Sequence, residues 1–277
     1  MILFGIVSVQ FGAGLADRLF AQIPPAAVTG LRLWAAALAM VALSGRGFAR
    51  SVRDLRKRRA FGDAAIAVSF GISLGIMNFA IYQSFARIPL GVAVTIEFLG
   101  PLAVAVAGSR HLADVGWVVL AAIGVGLLTQ GGRGHLDLTG VVFAGVAGAC
   151  WAAYIVLSSA TGRRFPGSSG LAIAMVVAAV LVTPPAVVAG GRAMFRPAVL
   201  ATGAVIGVLS SVIPYRLELE ALRRMPTRLF GVWMSAEPAA AALIGLAMLG
   251  QHLSISQWAA ICCVMVACAG AAQGALP

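Results

Sequence analysis

Charge is what this sequence has least of. Asp and Glu number 9 in 277 residues, His numbers 3, and charged residues make up 10%. A soluble globular domain carries about 25%, so most of this surface is not built to face water. Long polar loops are also missing, which leaves no room for a soluble domain of any size. The 4 cysteines, Cys150, Cys262, Cys263 and Cys268, lie inside apolar runs, and none stands in Cys-x-x-Cys spacing. That excludes a disulfide framework and leaves small packing residues in helices. No phosphate loop, no Ser-His-Asp constellation and no His-Glu-x-x-His motif occurs. An enzyme, a metal site and a bound cofactor are therefore not expected.

What is present is apolar length. Hydrophobic residues make up 61%, and the mean hydropathy is +0.98. A bilayer crossing takes about 20 residues. Apolar runs and their punctuation predict ten helices, over 2–20, 26–44, 62–84, 89–108, 113–130, 138–160, 168–189, 197–216, 226–249 and 254–274. The expected fold is an all-α integral membrane protein, a single membrane domain over residues 1–277. The first apolar stretch lacks a basic segment before it and runs on to Phe20, so it reads as a span rather than a cleaved signal.

The net charge of +11 raises nucleic acid as a partner, but the basic residues sit between apolar runs. With a cytoplasmic N-terminus, fourteen fall on the inner side, five on the outer side, and Arg32 lies within a span. That bias places both termini in the cytoplasm. The run 46–59, RGFARSVRDLRKRR, then reads as an anchor on the inner leaflet.

The chain also repeats itself. Arg87-Ile88-Pro89 matches Arg224-Met225-Pro226, and Pro101 then falls opposite Pro238. After a four-residue insertion, His111-Leu112 matches His252-Leu253 and Trp117 matches Trp258. The boundary falls near residue 133. Each half holds five spans, an odd number, so the halves are inverted relative to each other, as in many secondary transporters.

Two acids stand within spans. Glu97 lies in IPLGVAVTIEFLGPLAVAVAG, residues 88–108, and Glu237 lies directly before Pro238. An ionisable group at such depth faces a cavity or a partner. Glu97 could exchange a proton, bind a substrate ammonium, or serve as a structural acid. Glu237 sits where a proline weakens the helix. Arg32 could grip a substrate carboxylate bidentately, or instead snorkel or pair with an acid. Gln10, Asn78, Tyr82, Gln83, Trp151, Tyr154 and Tyr215 are further polar or aromatic groups within spans. Asn78 and Tyr82, four apart, share a helix face. Gly71–Gly75 and Gly203–Gly207 have the spacing of close helix contacts.

Stretches spread over most of the chain resemble the EamA-type branch of the drug/metabolite transporter superfamily. They include QFGAGLADRLF (10–20), GLRLW (30–34), GISLGIMN (71–78), AGACWAAYI (147–155) and IPYRLELEALRRMPTRLFGVWMSAEPA (213–239). The Glu97 stretch, DLTG (137–140) and GQHLSISQW (250–258) also fit. The resemblance implies ten helices in two five-helix repeats in the bacterial inner membrane. It implies export of small neutral amino acids such as homoserine and threonine, with protons the usual coupling ion. Glu97, Glu237 and Arg32 match charged positions of the family pattern. Gly-Glu pairs common after the fourth and ninth spans are replaced here by Ser109-Arg110 and Gly250-Gln251. The helix count suggests a monomer. Two other readings remain, an exporter of drugs or other metabolites and a non-transporting membrane protein. A small polar cavity at Glu97 marks an amino-acid exporter, a wide aromatic one a drug exporter, and a closed core neither.

Overall fold

The structure is a computed structural model describing residues 1–58, 61–107, 113–130, 137–224 and 227–274. The loop arginines Arg59, Arg110 and Arg133, and the repeat anchors His111-Leu112 and Met225-Pro226, lie outside the described residues.

All regular elements among the described residues are helical. In chain order they are α1 (Ile2–Leu19), α2 (Pro25–Ser44), α3 (Arg46–Arg58), α4 (Phe61–Phe85), α5 (Leu90–Glu97), α6 (Leu99–Ala107) and α7 (Ala113–Gln130). There follow α8 (Leu138–Gly162), α9 (Ser169–Gly190), α10 (Pro197–Gly207), α11 (Ile213–Arg224), α12 (Thr227–Met234), α13 (Glu237–Leu249) and α14 (Ile255–Gly274). Among the described residues, eight helical stretches are long and apolar enough to cross a membrane, and Val115–Leu128 and Pro197–Val212 are shorter apolar helices. The outward surface suits lipid: Phe4, Leu38, Val118, Val142 and Val188 are exposed.

Local chemistry sets the helix ends. Pro25 and Pro197 open α2 and α10 at the first helical position, where the missing N–H costs nothing. Asp137 accepts from the Thr139 N–H at 2.9 Å and caps α8. Gly45 follows α2 with φ +49°, a conformation that only glycine adopts freely.

Three features depart from the sequence expectation. The basic run 46–58 is itself a helix, α3, whose Phe48 and Leu55 pack on Ala67, Phe165 and Ile173. The eighth span runs on through a π-helical turn, Val208–Val212, into α11. The fourth and ninth spans are each broken in two.

The breaks have one cause. Proline cannot donate to the carbonyl four residues back, and its ring clashes with it. Pro101 deprives Glu97, and α5 ends at Glu97. Pro238 deprives Met234, and α12 ends at Met234. Four residues separate each helix end from its proline, at the two positions that the sequence repeat sets opposite each other.

Packing between the first and second halves is extensive. The main pairs are α4 with α8 and α9, α2 with α9 and α10, α7 with α14, α5 with α13 and α8, α6 with α8, and α1 with α11 and α13. Glycines let backbones approach. A Cβ on Gly71 or Gly75 would meet Ala174, Val177 or Ala178 of α9, and one on Gly203 or Gly207 would meet Leu31 or Ala35 of α2. Both small-residue motifs are thus helix contacts.

The ends of the bundle are tied by polar contacts. At one end Ser44 meets Ser168 at 2.8 Å, Ser51 donates to Ser169 at 2.9 Å, and Arg164 pairs with Asp63 at 3.1 Å. At the other end Arg18 donates to the Met248 carbonyl at 2.6 Å and Ser84 to the Gly140 carbonyl at 2.8 Å. There the Gln251 side-chain oxygen also accepts from the Leu90 N–H at 2.9 Å, satisfying one open donor of α5. Alternate connections gather at the same end, as a chain crossing back and forth requires.

Candidate functional site

Between the halves lies a cavity of about 150 Å³ lined by Gln10, Arg32, Asn78, Tyr82, Glu97, Trp151 and Glu237, with Tyr154 and Ser210. A single water needs roughly a tenth of that space, while drug-sized ligands take on the order of 300 Å³ or more. Eight of the ten residues singled out from sequence therefore meet in one place. Tyr215 has its side chain outside the described residues. Gln83 does not join them, because its side-chain oxygen accepts from Arg87 at 2.9 Å near the end of α4.

Arg32 is the best-held group. It is 9% exposed, although it stands within a span. Its Nη1 donates to Asn78 Oδ1 at 2.5 Å and its Nη2 to the Ser210 carbonyl at 3.2 Å. Asn78 is fixed in turn, donating from Nδ2 to the Leu74 carbonyl at 2.8 Å, so its oxygen faces Arg32. The guanidinium carbon lies 5.1 Å from the Tyr82 ring centroid, within cation–π range. Arg32 neither snorkels nor forms an ion pair with an acid among the described residues. Its Nε and the Tyr82 hydroxyl are buried and have no hydrogen-bond partner among the described residues.

The acids face this cation from the breaks. Glu97, the last residue of α5, is 8% exposed. Its carboxylate accepts no hydrogen bond from the described residues, but Glu237 and Arg32 act on it electrostatically. Glu237, the first residue of α13, accepts from Gln10 Nε2 at 2.9 Å. Trp151 meets Phe98, the break residue after Glu97, edge to face at 4.8 Å between ring centroids. Backbone contact fixes this break on α8. A Cβ on Gly148 would stand 2.8 Å from the Glu97 carbonyl oxygen, and one on Gly100 would strike the Gly148 carbonyl.

Sequence reasoning missed Ser210. Its carbonyl is offered to Arg32 by the π-helical turn, a distortion that recurs at functional sites. The adjacent serines Ser210-Ser211, four and three residues before Pro214 in an otherwise apolar run, were the available signal.

Comparison with known proteins shows the family. The model of the EamA-like transporter family matches residues 138–272. The threonine/homoserine exporter RhtA of Salmonella typhimurium strain LT2 is 39% identical over 98% of this chain and 89% of its own. The threonine/homoserine exporter RhtA of Escherichia coli strain K12 is also 39% identical over 98% of this chain and 89% of its own. An uncharacterized transporter of Bacillus subtilis, YwfM, is 30% identical over 54% of this chain and 52% of its own. A known crystal structure superimposes with a TM-score of 0.64 over 98% of this chain and 95% of that one, at 19% identity, which shows a shared fold alone. With 39% identity to curated exporters along nearly its whole length, and with charged groups buried around a cavity between its halves, the chain belongs to the EamA-like family of transporters.

Proposed function

We propose that this protein exports small neutral amino acids of the threonine and homoserine class across the bacterial inner membrane, coupled to protons. One observation carries the reading. A cavity of about 150 Å³ sets one guanidinium against two carboxylates. A zwitterion offers the matching charges in that volume. Its carboxylate meets Arg32 Nε and the Tyr82 hydroxyl, the donors left over once Asn78 and Ser210 hold the rest of the guanidinium. Its ammonium meets Glu97, whose oxygens have no donor among the described residues.

Charge counting supports the proton. Ionised, the two acids and Arg32 together carry one negative charge, which one proton cancels, whereas a bound zwitterion leaves the sum unchanged. Glu97 is the exchanging group in this account, because Glu237 is tethered to Gln10.

Alternating access follows from two inverted five-helix halves, about 1–133 and 134–277, with both termini cytoplasmic. Support comes from the pattern of helix pairs. Exchanging each span for its counterpart five spans away turns the α4–α8 contact into α10/α11 with α1, α4–α9 into α10–α2, and α5/α6–α8 into α12/α13–α1. Each of these is a pair that the packing contains. The α2–α9, α5–α13 and α7–α14 pairs map onto themselves. The two breaks are the hinges of this account, since broken helices at a midplane site recur in inverted-repeat transporters.

The test is competition. In vesicles holding the purified protein, unlabelled threonine should suppress exchange of radiolabelled threonine. N-acetylthreonine, which lacks the ammonium, and threoninol, which lacks the carboxylate, should fail to do so. Equal competition by either analogue would remove the zwitterion reading.

A further inference from the structure

We infer that Gln10 is the residue that reads the side-chain hydroxyl of the substrate. The inference rests on the amino-acid reading above and goes beyond it to what distinguishes one small amino acid from another.

Gln10 lies on α1 and is 2% exposed. Its amide has two ends with opposite hydrogen-bonding character. The Nε2 end donates to Glu237 Oε1 at 2.9 Å. An ionised carboxylate accepts only, so it takes the N–H₂ end and holds the amide in one orientation. The other end, Oε1, is then an acceptor. It is buried, belongs to a cavity-lining residue, and has no hydrogen-bond partner among the described residues. A buried acceptor without a donor is costly. The cargo can supply that donor.

Which donor follows by elimination among the groups of a zwitterion. The ammonium goes to a carboxylate, because charge-assisted hydrogen bonds are about twice as strong as neutral ones. The carboxylate has no N–H or O–H to give. A hydroxyl on the side chain is the neutral donor left, and threonine and homoserine both carry one. Glu237 is then a positioning residue, acting through Gln10. A site that needs a donor discriminates against the analogue that lacks it, because its own polar group stays unpaired.

Two isosteric pairs make the experiment, threonine with valine and homoserine with norvaline. Each is offered as competitor against efflux of preloaded radiolabelled threonine from vesicles holding the intact protein. The wild type should favour the hydroxylated member about tenfold to a hundredfold, the size of one unpaired buried group. In Gln10→Met, which keeps the shape and removes the acceptor, the preference should fall to about twofold or less. Gln10→Asn, which withdraws the acceptor by one methylene, is the second variant, and its preference should fall part way. Glu237→Ala, which frees the amide to turn, should lower the preference with Gln10 still present. A wild type that treats threonine and valine alike overturns the inference while leaving the amino-acid exporter standing. So does a preference that survives both Gln10 substitutions. Efflux of no amino acid at all overturns the inference and the reading beneath it together.

Discussion

In the span from Leu90 to Ala107 the acid closes a half-helix; in the span from Phe230 to Leu249 the acid opens one. The prolines stand at matching positions, so the breaks match, but the acids are offset by three residues across them. Glu97 falls opposite Met234, and Glu237 falls opposite Gly100. A helix N-terminus welcomes negative charge, and a C-terminus opposes it. Glu237 therefore sits where an anion is at home and is further held by Gln10. Glu97 sits where an anion has neither support. On the reading proposed above, one backbone device, used twice, gives two acids different duties: Glu237 as a fixed anion that orients, Glu97 as a group that exchanges.

The surroundings differ in the same sense. At the first break the position after Leu99 is Gly100, where a Cβ would strike the Gly148 carbonyl. The matching position of the second break carries a whole glutamate side chain. Gly100→Val should accordingly be the most damaging change, costing about 3 kcal/mol of stability as an overpacked contact. Thermal unfolding of the detergent-purified protein measures it, and a melting temperature equal to wild type would mean that α6 and α8 do not cross so closely. Arg32→Lys comes next. It keeps the charge but loses the planar fork that serves Asn78 and Ser210 together, and transport should fall on the order of a hundredfold. Near-normal efflux from this variant would reduce Arg32 to a bare counter-charge.

Smaller effects separate the acids further. Glu237→Gln should slow threonine efflux about tenfold, the size of one charged hydrogen bond, while the remaining efflux still answers to a pH gradient. Loss of that answer would make the two acids alike. Gln251→Ala should be mildest. It removes the acceptor for the Leu90 N–H and should cost about 1 kcal/mol, as helix caps do, with transport nearly unchanged. Gln251→Glu should restore or raise stability, because a charge there also faces the positive end of α5.

Much of this was legible in the sequence because a bilayer leaves few solutions. Apolar length marked an all-helical membrane protein, of whose ten expected spans eight are long enough to cross among the described residues, and Arg32, Glu97 and Glu237 stood out because charge is rare there. Asn78 and Tyr82 could be paired because four residues make one helical turn. The breaks were half legible: Pro238 marked a weakened helix and Pro101 stood opposite it in the repeat, but only the folded chain separates α5 from α6 and α12 from α13. The Ser210 carbonyl was not legible, since its exposure depends on a π-helical turn that no residue type signals by itself. Nor was the pairing of Gln10 with Glu237, residues 227 apart in sequence. Helix α3 was legible only as a basic anchor on the inner leaflet, because arginines mask its apolar face.

The central claim is that Glu97 exchanges the proton. Efflux of preloaded radiolabelled threonine from vesicles, with and without an imposed pH gradient, tests it in wild type and Glu97→Gln. The account predicts that the gradient accelerates efflux by the wild type and leaves the variant's rate unchanged, though the variant is folded by circular dichroism. Gradient-accelerated efflux by Glu97→Gln would contradict it.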